Sequence, residues 1–82
     1  MERSDIYRIL DSEREYQDQK WVNDVHRKHE VECWILYMQH YLDEARKEAT
    51  LNDDAKVSLA SLRKVVALGV ACFEVHGVPE RK

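Results

Sequence analysis

Two polar side chains sit on a stripe that a helix would otherwise fill with apolar ones. Ile6, Leu10, Glu13, Gln17 and Trp21 follow one another at steps of four, three, four and four, so Glu13 and Gln17 project from the same helix face as their apolar neighbours. Arg14, Lys20 and Trp21 lie beside them. A cation, an amide and an indole on one helix can hold a phosphate and a stacked base, since Arg and Lys take phosphate oxygens and an aromatic face takes the base. The same residues also suit an ordinary amphipathic helix with salt-bridged flanks. Further on, Trp34, Tyr37, Tyr41, Glu44 and Glu48 form a second stripe that ends in two carboxylates four residues apart. Carboxylates so spaced can share Mg²⁺, which prefers oxygen ligands, or they can be solvated and pair with Arg46, Lys47 or neighbouring helices. Arg63 and Lys64 interrupt an apolar stretch, and a surface pair snorkelling from a bundle accounts for them as well as a ligand does.

His26 and His29 are three apart, with no acidic or cysteine partner at a metal-motif spacing, and read as loop residues. His40 is isolated, and His76 next to Gly77 suits a helix C-terminus. There is no Gly-rich phosphate loop, no Ser-His-Asp signature and no paired-cysteine motif. No catalytic nucleophile is assigned.

Three helices are expected to carry these residues. Ser4 or Asp5 can cap a first helix over about 5–22, in which Ile6, Ile9 and Leu10 recur at helical spacing. The stretch from Val22 to Glu30, with the block His26-Arg27-Lys28-His29-Glu30, has no apolar stripe and reads as a connector. A second helix is predicted over 31–49, where Ile35, Met38, Leu42, Ala45 and Ala49 widen the apolar face. Asn52, followed by Asp53 and Asp54, caps a third helix over 53–76, which Gly77 and Pro79 close.

That third helix is apolar nearly all round. At about 1.5 Å per residue it would be roughly 35 Å long, more than a three-helix monomer can cover on every side. A homodimer or higher homo-oligomer built on it is expected, isologous if a dimer.

Composition agrees with this all-α, single-domain reading. The chain has 82 residues, 44% of them apolar and 35% charged, and a chain this short buries only about 60% of its unfolded surface. Two Gly and one Pro are too few for the turns of an all-β fold. Cys33 and Cys72 provide neither a disulfide framework nor a four-cysteine zinc site, and both read as reduced, buried thiols of a cytoplasmic protein. The charged N-terminus lacks the apolar core of a signal peptide. The apolar run from Val65 to Phe73 is far short of the roughly 20 residues that span a bilayer. A formal net charge of −3 argues against phosphate-backbone binding, so neither membrane nor nucleic acid is an expected partner.

Taken together, Glu13-Arg14, Gln17, Lys20-Trp21, His29, Trp34, Leu42-Asp43-Glu44 with Glu48, and an Ala-rich helix ending Phe73-Glu74 resemble the small MazG-like proteins of phage genomes. These are relatives of the all-α nucleoside triphosphate pyrophosphohydrolases, and the resemblance covers residues 6–77. It implies an acidic Mg²⁺ site, to which Asp43, Glu44 and Glu48 would contribute. The family's second acidic pair corresponds to Ser61-Leu62-Arg63-Lys64, where cations stand instead. A Lys in place of an acid repels metal but can neutralise phosphate directly.

The leading expectation is therefore a non-catalytic protein that sequesters a nucleotide or nucleotide signal. Trp21, Trp34 and Tyr37 would stack, Arg14, Lys20, Arg63 and Lys64 would take phosphate, and Glu13 and Gln17 would take base or sugar. One alternative is a Mg²⁺-dependent pyrophosphohydrolase using Glu13, Asp43, Glu44 and Glu48. The other is a protein-binding inhibitor of a host enzyme.

Overall fold

In the computed structural model, which describes residues 1–21, 29–51 and 53–81, the chain forms three helices: α1 (Arg3–Lys20), α2 (Val31–Thr50) and α3 (Ala55–His76). No strand occurs among the described residues. The connector reading of 22–30 falls largely on 22–28, outside the described residues, as do His26 and the cap expected at Asn52.

α3 is the central element, and α1 and α2 both pack against it. Its 22 residues make a rod of about 33 Å at 1.5 Å per residue, close to the molecule's longest extent of 35 Å. The larger contact is with α2. There Trp34, only 2% exposed, packs with Leu68, Ala71 and Cys72, and Trp21, Met38 and Tyr41 close around them. The small side chains of α3 let the indole approach its backbone. Trp34, Met38, Tyr41, Ala45 and the half-buried Glu48 therefore form the inner face of α2, whereas Ile35 and Leu42, expected in the core, lie open to solvent.

The helix ends follow local chemistry. α1 starts at Arg3, with Glu2 as N-cap and no side-chain cap bond. Ser4 and Asp5 thus lie inside its first turn, where the Asp5 carboxylate meets the positive end of the helix dipole. α3 begins two residues later than expected because Asp53 takes a left-handed φ of 48° and Asp54 is extended. The Asp54 carboxylate accepts the Val57 N–H at 3.2 Å, which satisfies one of the donors left free at a helix start. At the other end Gly77 has φ 80°, a conformation that costs Gly little, and its N–H donates to the Phe73 carbonyl at 2.7 Å.

None of the helices, among the described residues, is long and apolar enough to cross a membrane.

Two outcomes follow from the α2–α3 seam. A Cβ added at Gly69 would lie 3.6 Å from the Met38 sulfur, an ordinary contact, so Gly69→Ala should raise stability by up to about 1 kcal/mol through helix propensity. A lower urea midpoint for that variant would show that the seam has no room for a methyl. Burial pushes the Cys72 thiol up from its ordinary value, keeping it protonated when the unfolded chain's thiol ionises above about pH 8.5. The unfolded state then holds fewer protons than the folded one, so this group's contribution falls as pH rises through that range. Native alkylation should modify the half-buried Cys33 and spare Cys72, and equal labelling of Cys72 in buffer and in urea would contradict its burial.

Candidate anion-binding site

The residues of α1 that are buried are polar: Glu13 is 8% exposed and Gln17 2%. Being four apart they share a face, and that face lies on α3. The Glu13 carboxylate accepts the Arg63 Nε–H at 2.6 Å. Gln17 is engaged at both ends, its Oε1 accepting from Arg14 Nη1 at 3.1 Å and its Nε2 donating to the Lys64 carbonyl at 3.4 Å. Buried polar groups are tolerated when paired in this way.

Arg14 extends the network outward. Its Nε donates to Glu74 at 2.5 Å and its Nη2 to Asp18 at 2.9 Å. Burial disfavours the guanidinium charge, yet Glu74 and Asp18 outweigh it and raise the Arg14 pKa. This side chain is committed to holding α1 on α3.

Beside the Glu13–Arg63 pair, α1 and α3 form an open cavity of about 440 Å³ lined by Ile9, Ser12, Glu13, Tyr16, Lys20, Arg63 and Lys64. The α1 members run at steps of three, one, three and four, which is one helix face. Three cations and one carboxylate line this space in a chain of net charge −3. The carboxylate is already paired. Arg63, whose side chain is 47% exposed, uses Nε for Glu13 and has further N–H donors on its guanidinium. Lys64 Nζ lies 4.8 Å from the centre of the Tyr41 ring, close enough for a cation–π contact. Such a set attracts an anion, and its volume is within the roughly 300–1,000 Å³ of small-molecule sites.

Of the residues expected to bind a nucleotide, Glu13, Lys20, Arg63 and Lys64 meet at this cavity. Gln17 is bonded to Arg14 and to the Lys64 carbonyl and does not line the cavity. Arg14 is turned to Glu74 and Asp18, and Trp34 is in the core with Trp21 packed against it. Tyr37 is on α2, its ring 5.3 Å from that of His29. None of these four lines the cavity. Ile9, Ser12 and Tyr16 complete the wall and were not picked out by sequence. Their common helical register with Glu13 and Lys20 is the signal that identifies them.

The acidic residues of α2 take separate partners. Asp43 is 3.9 Å from Arg46, Glu44 is 3.5 Å from His40, and the Glu48 Oε2 accepts the Ser61 hydroxyl at 2.7 Å. Among the described residues no three His, Cys, Asp or Glu side chains are placed to hold a metal ion. Asp43, Glu44 and Glu48 are thus not gathered into one multi-carboxylate cluster, and no hydrolytic step is derived through them.

The Glu13–Arg63 pair has unequal partners, and its variants should differ accordingly. Arg63→Met strands a nearly buried carboxylate and should cost about 1–3 kcal/mol. Glu13→Gln leaves a guanidinium that can turn to water, and should cost about 1 kcal/mol or less. Urea unfolding measures both, and the reverse order would show that the carboxylate is hydrated in the folded protein.

Comparison of the chain with protein-family models, with curated proteins and with solved structures gave no match.

Proposed function

We propose that this protein binds a nucleotide through its phosphates without hydrolysing it, as a sequestering protein of the small MazG-like phage type that works as a helical homo-oligomer. The observation that carries the reading is the cavity between α1 and α3, where Lys20, Arg63 and Lys64 surround a carboxylate already paired with one of them. Phosphate oxygens would accept hydrogen bonds from the two ammonium groups and from the outer N–H groups of Arg63. Guanidinium and ammonium groups recognise phosphate without needing a metal. The Tyr16 ring and Ile9 supply an apolar wall on which the base or sugar rests, while the Ser12 hydroxyl, bonded to the Ile9 carbonyl at 2.7 Å, retains acceptor capacity for a polar edge.

The acids of α2 favour binding over hydrolysis. Phosphoryl chemistry relies on carboxylates that hold metal ions against the phosphates, and Asp43, Glu44 and Glu48 are each engaged elsewhere. Binding in this reading is independent of Mg²⁺.

The test is to incubate the protein with a panel of nucleoside triphosphates and cyclic nucleotides, with and without Mg²⁺, and to chromatograph free nucleotide before and after heat denaturation. A bound nucleotide should disappear and return intact. Calorimetric titration of that nucleotide should show about a tenfold or greater loss of affinity, roughly 1.4 kcal/mol, for Lys20→Ala and for Lys64→Ala. Release of monophosphate and pyrophosphate would refute the non-catalytic reading, and undiminished binding in both variants would refute this cavity as the site.

A further inference from the structure

α3 has two apolar faces, and the core uses one of them. Ala67, Leu68, Ala71 and Cys72 are buried. On the opposite side Leu59, Leu62, Val66, Val70 and Phe73 succeed one another at steps of three, four, four and three, which keeps them on one face of the helix. All but the half-buried Val70 are between 41% and 63% exposed. No charged residue interrupts this line from Ala55 to Gly77. It extends for about 21 Å at 1.5 Å per residue. Beside its first half, Ile6 and Leu10 of α1 join Leu59, Leu62 and Val66 in an open apolar groove of about 590 Å³.

We infer that this face is a homodimer interface in which α3 packs antiparallel on α3 of a second copy, with the two-fold axis at Val66. The inference rests on the self-association in the reading above and adds the face, the direction and the register. It is independent of the nucleotide.

Three observations select a second copy as the occupant. The first is symmetry, because the spacing of the seam reads the same in both directions. Leu59 and Phe73 each lie seven residues from Val66, and Leu62 and Val70 each lie four. An axis at Val66 therefore sets Leu59 against the partner's Phe73 and Leu62 against the partner's Val70, an isologous contact in which every residue meets an apolar one. The second is charge. Lys56 and Glu74 are eighteen residues apart, five full helical turns, and flank the seam on the same side. Antiparallel pairing places each Lys56 at the level of the partner's Glu74, whose carboxylate accepts from Arg14 and keeps lone pairs for a second cation. Antiparallel helix dipoles favour the same direction. The third is area. The open apolar side chains of the seam and Ile6 present on the order of 400–500 Å² per copy, over half of the about 800 Å² each partner buries in a standard interface. Rim residues and the flanks of α1 can supply the rest.

Light scattering and sedimentation of the full chain at micromolar concentration should give twice the 9.8 kDa chain mass. Val66→Asp should be monomeric with unchanged helical circular dichroism. In a Cys33→Ser background, Val66→Cys at the axis should link to its counterpart with a short bismaleimide, and Leu59→Cys should not. A monomeric wild type would overturn the pairing and the self-association together. A wild-type dimer that persists in Val66→Asp, or that links through Leu59→Cys but not Val66→Cys, would overturn this face and register while leaving self-association in place.

Discussion

The position of α1 depends on a polar contact. This helix contributes Glu13 and Gln17 as its buried side chains and no fully buried apolar one, so hydrophobic burial alone specifies its register on α3 weakly. Hydrogen bonds are directional where apolar contact is not. Glu13 to Arg63, Gln17 to the Lys64 carbonyl and Arg14 to Glu74 tie α1 to α3 at three levels. A shift of one residue would turn Glu13 and Gln17 by about 100° and strand buried polar groups at a cost of about 1–3 kcal/mol each. Polar residues here act as register pins, a use attested for isolated polar groups in helical assemblies.

The same pins shape the site. Because Glu13 draws Arg63 toward α1, the guanidinium lies at the wall of the cavity rather than extended into solvent, and Lys64, the next residue on α3, brings a second cation to that wall. A side chain held by one hydrogen bond loses less freedom when a ligand takes its remaining donors, which is the advantage of preorganisation. Positive charge concentrated in a chain of net charge −3 also gives the molecule a polarity. The cationic wall stands out against the acidic remainder, and a cleft lined by one sign of charge focuses the field on a small anion.

How much of this could be read from sequence divides by the range of the interaction. The inward direction of Glu13 and Gln17 was legible, since it depends on helical spacing within one element. Their partners were not, because Arg63 is fifty residues away and no local pattern reports the contact. Gly77 as the end of α3 was legible from its conformational freedom. Asp54 supplies a cap bond because Asp53 is in the left-handed region and turns the chain just before it. Trp34 shows the opposite failure. Its stripe with Tyr37 and Tyr41 fits a stacking surface as well as a core, and only the small residues that α3 presents to it decide for the core.

Those small residues also bear on the outer face of α3. In a helix that serves only a monomer's core, the bulky apolar side chains point inward and the outer face is polar. α3 has the reverse distribution, with two alanines and a cysteine among its four buried residues and Leu59, Leu62, Val66 and Phe73 outside. Close approach explains the inner set, because Trp34 fills the space that small residues leave. Nothing among the described residues explains the outer set, whose side chains lose hydrophobic stabilisation of about 25 cal/mol per Å² for as long as they face water. A second α3, presenting the same palindromic seam, would supply the missing apolar surface.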